Sequence, residues 1–343
     1  MNWHLKRAGQ ALFTLWAVVT LSFVMIRMLP WSAEDIVVAE LIQQNPNLAQ
    51  NRDMLRRQVQ DMLMIDPDAS ITEAYVQYMM SIMQGDLGTT YGVRSGEEVS
   101  AIIAGALPWT IWVMSLATFG MFALALALGA IMAYREQSAF DYSNSALAIV
   151  AASIPYYVAA VVFIKYIGFS DFLILEMIPA RNRLPDGVAV GLTFEFVSGA
   201  FRHALLPALS FIVTGYGLTA LAMRGNSIQT LGEDYVRVAR LRGLPDRRIA
   251  LRYVGRNAVL PLYTWLIISI GTMFGGAVIL EQLFNYHGVG YWMLEAIEAN
   301  DMPLMMGTFI VLTAAMVVAI WFGDLTYGKL DPRIKTGDEG EAY

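Results

Sequence analysis

The sequence predicts an all-α integral membrane protein, with six transmembrane helices and a mostly helical extracellular subdomain after the first. Three observations carry this expectation. The 343 residues are 57% hydrophobic and only 15% charged, with a mean hydropathy of +0.50, a balance foreign to soluble domains. Six apolar stretches reach the roughly 20 residues that a helix needs to cross a bilayer core. The basic residues are sorted unequally among the segments that join them.

The expected spans are 8–29, 109–133, 145–168, 204–223, 258–280 and 305–325. No charge interrupts the middle of any of them. Arg27, Lys165 and Asp324 lie near span ends, where long or polar side chains reach the headgroups. The first span follows Lys6 and Arg7, as a secretory signal would. Its apolar run is too long for one and no small-x-small cleavage site follows, so a retained helix is expected. Pro155 lies inside the third span and is expected to kink it by removing a backbone hydrogen bond.

Between the first two spans, 34–47, 51–65 and 73–84 place apolar residues at helical spacing, the last ending at Gly85. The expected organisation is a cytoplasmic N-terminus and first helix (1–29) and an extracellular subdomain (30–105). A transmembrane core (106–325) then holds one long cytoplasmic loop (224–257), and 326–343 form a cytoplasmic tail. The outer segment 169–203 mixes proline, glycine and aromatics and is expected to be irregular.

Orientation follows from the charges. With the N-terminus inside, segments 1–7, 134–144, 224–257 and 326–343 hold 14 of the 23 basic residues, and the longer outer segments hold 7. That is the bias of cytoplasmic loops toward Lys and Arg. Both termini are therefore expected in the cytoplasm. The outer segments hold 19 of the 29 acids.

No catalytic constellation emerges. The chain has no cysteine, and His4, His203 and His287 are scattered. Residues 323–330, GDLTYGKL, match the start of a phosphate-binding loop, but Leu330 stands where Ser or Thr would hold magnesium. The stretch also ends an apolar span rather than joining a strand to a helix. No enzyme activity, cofactor, metal site or nucleic-acid partner is expected of this chain.

The loop 224–257 departs most from the composition. Seven arginines (237, 240, 242, 247, 248, 252 and 256) crowd into 233–261, EDYVRVARLRGLPDRRIALRYVGRNAVLP. Thr230 with Glu233 fits a capping box that would start a helix, and Gly243 suits the left-handed position that ends one. Pro245 fits the first turn of a second helix. Ala239 and Gly243, four apart, would share a small-residue face. The residues leave two readings open. One is an interfacial segment on anionic lipid; the other is a shaped surface that receives a partner's side chains.

The same stretch resembles the cytoplasmic coupling loop of ABC importer permeases, in the form typical of the peptide and nickel branch. Glu233, Asp234, Tyr235, Val236, Arg237, Ala239, Arg240, Gly243 and Leu244 fit that form, as do Arg256, Asn257, Ala258, Leu260 and Pro261. Against the broader E-A-A-x-x-x-G pattern, Arg237 and Val238 replace the first two residues, as in the peptide branch. Further stretches are similar to the same branch: GDLGTTY (85–91), SIPYY (153–157), HALLPALS (203–210), GGAVILEQLFNYHGVG (275–290) and LDPR (330–333).

The resemblance implies the type I importer permease fold. It also implies a second homologous permease, two cytoplasmic ATPase subunits that carry the ATP and Mg, and an extracellular solute-binding protein, in a prokaryotic cytoplasmic (inner) membrane. It assigns ATPase coupling to Glu233, Asp234, Tyr235, Arg237, Ala239, Arg240, Gly243, Leu244, Arg247 and Arg248. It implies di- or oligopeptide import, with oligosaccharides or nickel complexes as alternatives. A stand-alone secondary transporter or channel would call for acids or broken helices at mid-bilayer, and neither is expected in these spans.

Overall fold

The computed structural model describes residues 3–27, 33–63, 69–168 and 178–330. The LDPR motif beyond Leu330, the tail up to 343 and the outer end of the first expected span lie outside the described residues. Thirteen helices are described: α1 Trp3–Arg27, α2 Ala33–Gln44, α3 Arg52–Leu63, α4 Ile71–Met83, α5 Val99–Tyr134, α6 Ala139–Ser153, α7 Tyr156–Phe163, α8 Phe194–Leu231, α9 Asp234–Leu241, α10 Asp246–Arg248, α11 Arg256–Leu283, α12 Val289–Glu298 and α13 Met302–Leu330. Wide π-turns extend α7 through Ile164–Gly168 and join α10 to α11 through Ile249–Gly255.

Five of the expected spans are helices long and apolar enough to cross a membrane, and the bent α6–α7 pair, taken as one span, makes six. That pair is not the kinked helix expected from Pro155. The axis turns by 95° between Ser153 and Tyr156. Pro155 caps α7 in an extended conformation, φ −61° and ψ 139°, and Ile154 is extended too, φ −96° and ψ 119°. The proline ring drives its predecessor out of helical space, so the helix stops and restarts.

Several helices outrun their apolar windows. The 36 residues of α5 and 38 of α8 span about 54–57 Å at 1.5 Å per residue, well beyond a bilayer core of about 30 Å. α8 therefore begins at Phe194, inside the segment expected to be irregular, and runs on to Leu231. Window reading counts only apolar residues, whereas a helix continues through polar ones that keep one face packed.

The chain divides into two compact units, to which α5 and α13 both contribute. The first comprises 1–110 and 287–318. Here α2 and α3 close a small core on Val37, Val38, Leu55, Val59 and Tyr91. The GDLGTTY stretch is pinned to the α12–α13 turn. The buried Asp301 carboxylate accepts from the backbone N–H groups of Tyr91 (3.2 Å), Gly92 (3.0 Å) and Val93 (3.2 Å), and the Tyr91 hydroxyl donates to the Asn300 carbonyl. Gly92 packs closely here: a Cβ would stand 3.0 Å from the Ala299 carbonyl oxygen, so a side chain would have to displace that turn slightly.

The second unit comprises 111–286 and 319–343. Glycines bring its helices together. A Cβ on Gly129 of α5 would stand 2.4 Å from the Ala220 carbonyl oxygen of α8, and one on Gly217 of α8 would stand 2.1 Å from that of Ala148 on α6. Gly323 of α13 lies against the Ile267 side chain of α11, where a Cβ would stand 2.9 Å from it. The residues 323–330 are the last turns of a helix, α13, not a strand-to-helix phosphate loop.

Candidate functional site

The arginine segment folds as a corner with its own small core. α9 ends in a Schellman motif: the Gly243 N–H donates to the Arg240 carbonyl (2.9 Å) and the Leu244 N–H to that of Ala239 (3.3 Å). Gly243 has φ +69°, in the left-handed region that glycine enters most readily. Val236 and Ala239 of α9 pack on Ile249 and Val254, flanked by Leu231, Leu244 and Tyr253. Asn257 ties α9 to the start of α11, donating from Nδ2 to the Tyr235 hydroxyl at 3.0 Å and to the Tyr253 carbonyl at 2.8 Å.

Three expectations change. Thr230 is no N-cap: it lies within α8, and its hydroxyl donates to the Asn226 carbonyl at 2.8 Å, while Glu233 caps α9 without a side-chain bond. The second helix is not a separate short element. Pro245 is its N-cap, and from Asp246 it runs on as one 38-residue span to Leu283. The small-residue face is split. Ala239 is 2% exposed, buried by the loop's own core, while nothing lies within 4 Å of a Cβ built on Gly243. A helix of eight residues needs its apolar face to hold it in place, so that face is used internally.

What the corner presents outward is therefore different. All seven arginines are exposed, as are Glu233 and Asp234. Among them stand Val238 and, most of all, Leu241, 81% exposed, with Leu251 beyond α10. Asp234 in the first turn of α9 and Arg240 in its last complement the helix dipole. Pro245, Arg247, Arg248, Leu251 and Arg252 line an open depression beside the corner.

Two ties that sequence reading missed join this corner to the rest of the unit. Asn226 Nδ2 donates to the Ala258 carbonyl (3.1 Å), linking α8 to α11. Arg224, nine residues before Glu233, forks onto Asp141 at the start of α6: Nε to Oδ1 is 2.6 Å and Nη2 to Oδ2 is 2.7 Å. The Asp141 carboxylate, 1% exposed, also accepts from the Gln137 N–H at 3.0 Å. The only sequence signal is a lone acid and a lone base, each beside an apolar run and 83 positions apart.

At the α6–α7 break a cavity of about 500 Å³ opens among α5, α8 and α11. Met121, Tyr156, Phe211, Thr214, Trp265 and Ser269 shape it, and none of its lining residues is acidic or basic. The Tyr156 hydroxyl donates to the Gly276 carbonyl of α11 (3.3 Å), and its ring tilts against Phe211 with centroids 5.6 Å apart.

Packed apolar spans with a structured polar corner at one end define a multi-pass membrane protein. Residues 125–336 match the family of binding-protein-dependent transport system inner membrane components, and the chain belongs to that family. It is 30% identical to a protein of Brucella suis described as a peptide permease, over 98% of this chain and 99% of that one. It is 25% identical to the dipeptide transport system permease protein DppB of Escherichia coli, over 98% and 99%. With the oligopeptide transport system permease protein AppB of Bacillus subtilis the identity is 30%, over 76% and 80%.

Proposed function

We propose that this chain is a permease subunit of an ATP-driven importer of di- and oligopeptides, and that the corner at Gly243 couples it to ATPase subunits. The observation that carries the coupling role is an exposed, apolar-tipped corner, Leu241 beside Gly243, inside a rim of arginines. A segment lying flat on lipid has no use for a tip that projects from its own packed core. A groove on a partner does. Arg237, Arg240, Arg247 and Arg248 supply salt-sensitive contacts around it, and Tyr235 and Leu244 hold the tip to α11 and to the loop's core.

On this reading both termini are cytoplasmic, as the Lys and Arg bias argues, and 30–105 faces outward toward a solute-binding protein. A second, homologous permease completes the pathway, and two ATPase subunits bind the ATP and Mg. The cavity at Tyr156 is this chain's half of the route. Its uncharged lining suits solutes whose net charge varies, as that of peptides does, and the names of the relatives support that substrate class.

The test is Gly243→Glu beside Gly243→Asn in the reconstituted complex. Asn tolerates the left-handed backbone, so G243N should couple nearly normally. G243E places a bulky acid at the tip. It should insert and leave ATP hydrolysis uncoupled from peptide uptake, and normal uptake by G243E overturns the coupling role.

A further inference from the structure

The connections of the corner lead naturally to α8 and α11, the helices that flank it. The structure also places α6 in the same mechanical unit, and we infer that Asp141 and Arg224 are positioning residues that make α6 move with the coupling corner. The inference rests on the coupling role proposed above.

Two contacts at different heights join α6 to α8. Near the end that carries the corner, Arg224 forks onto Asp141 at 2.6 and 2.7 Å. Farther along, Gly217 of α8 lies against the backbone of Ala148 so closely that a Cβ would stand 2.1 Å from its carbonyl oxygen. A close helix contact alone permits sliding. A bidentate guanidinium–carboxylate pair fixes direction as well as distance. Two residues on, Asn226 holds the Ala258 carbonyl of α11, and α11 is in turn joined to α9 through Asn257 and Tyr235. The corner, the inner ends of α8 and α11, and α6 therefore form one connected polar frame.

The other end of α6 shows what the connection is for. α6 stops at Ser153, the axis turns by 95°, and Ile154 and Tyr156 enter the wall of the cavity. Tyr156 is held to α11 by its hydroxyl. A displacement of α6 relative to α7 is thus delivered at Ile154–Pro155, beside the cavity, where the helix is broken and Pro155 has no N–H to donate back into α6. The Asp141–Arg224 fork is the element that passes the corner's displacement to that joint.

The test uses the full complex (this chain, its partner permease, the ATPase subunits and the binding protein) in proteoliposomes, with radiolabelled dialanine. The variants are Asp141→Asn, Arg224→Gln and the two together. Each single variant strands one charge, so its assembly can suffer for a purely structural reason. The neutral pair strands none, and its assembly and ATP hydrolysis should return to the wild-type range. Its dialanine imported per ATP hydrolysed should stay lower by on the order of tenfold. Recovery of that ratio together with assembly overturns the inference. Arg224→Lys, which keeps the charge but not the fork, should sit between.

A second readout needs no substrate. The chain has no cysteine, so spin labels can be placed at Leu147→Cys on α6 and Gln229→Cys at the corner end of α8, both exposed. Their separation should be the same with and without ATP–vanadate when Asp141 and Arg224 are intact, and should change on trapping in the neutral pair. A separation that changes equally in both overturns the inference. A wild-type complex that assembles but imports no dialanine counts against the peptide reading alone, and the label distances still decide the role of the fork.

Discussion

Two glycines of α8, eight residues apart, show how local surroundings decide what a residue does. Gly217 is a packing contact. A methyl group there would meet the Ala148 backbone at 2.1 Å, and backbone cannot swing aside as a side chain can. Gly217→Ala should therefore destabilise the purified protein by about 1–3 kcal/mol, the usual range for overpacking, seen as a lower thermal midpoint in detergent. Gly225 has nothing within 4 Å of a built Cβ, so only helix propensity acts. Gly225→Ala should be neutral or stabilising by up to about 1 kcal/mol. Neither outcome is written in the sequence, where both positions read as glycine in a helix. Gly243 differs because its role is local: a glycine ahead of Leu-Pro-Asp and behind a basic amphipathic run signals a left-handed helix end, and the backbone is left-handed there. Ala239 was the harder residue. Its small size fits a partner's surface and a small internal core equally well, and only the packing of Ile249 and Val254 decides between them.

At the scale of the element, helix ends were legible unevenly. α4 ends before Gly85, as expected, at φ +81°; its start, a capping box that joins Ser70 and Glu73 reciprocally, was not read from the sequence. Ser70→Ala should cost about 1 kcal/mol of local stability, measured as faster amide exchange across the first turn of α4. The hydrogen bonds from the Ser70 side chain and backbone hold the Glu73 carboxyl below its ordinary value of 4.5. A depressed folded value means that the charged form is favoured by folding. Protection of α4 should accordingly be full above pH 4.5 and fall as the pH drops through the lowered value. Ser70→Ala should flatten that profile. The reverse case is Thr230, with its acid three residues on. It has the form of a cap, yet α8 runs through it, because Met223, Ser227 and Thr230 continue the buried face of the helix. At Pro155 a kink was expected, and the helix instead stops and restarts with its axis turned by 95°.

At the scale of the whole molecule, the orientation argument makes a direct prediction. In a chain without cysteines, Gln77→Cys on α4 should react with a membrane-impermeant maleimide added to intact cells, and Arg242→Cys only after permeabilisation. The opposite pattern would invert the topology.

The apolar spans, the polar corner and the helices between the first two spans were all legible in the sequence, because each is set by local composition. Crossing a membrane is a property of about 20 consecutive residues, a left-handed turn is a property of one, and a basic loop is a property of its own charges. The fork of Arg224 on Asp141 and the grip of Asp301 on Tyr91, Gly92 and Val93 were not legible. Their partners lie 83 and more than 200 positions apart, and a lone charge at a helix end looks the same whether it meets water, lipid or a distant carboxylate. Local physical chemistry determined that this chain crosses the membrane and turns a charged corner. Only tertiary packing decided which helices that corner holds, since that depends on which glycines let two backbones close and which buried charges then find each other.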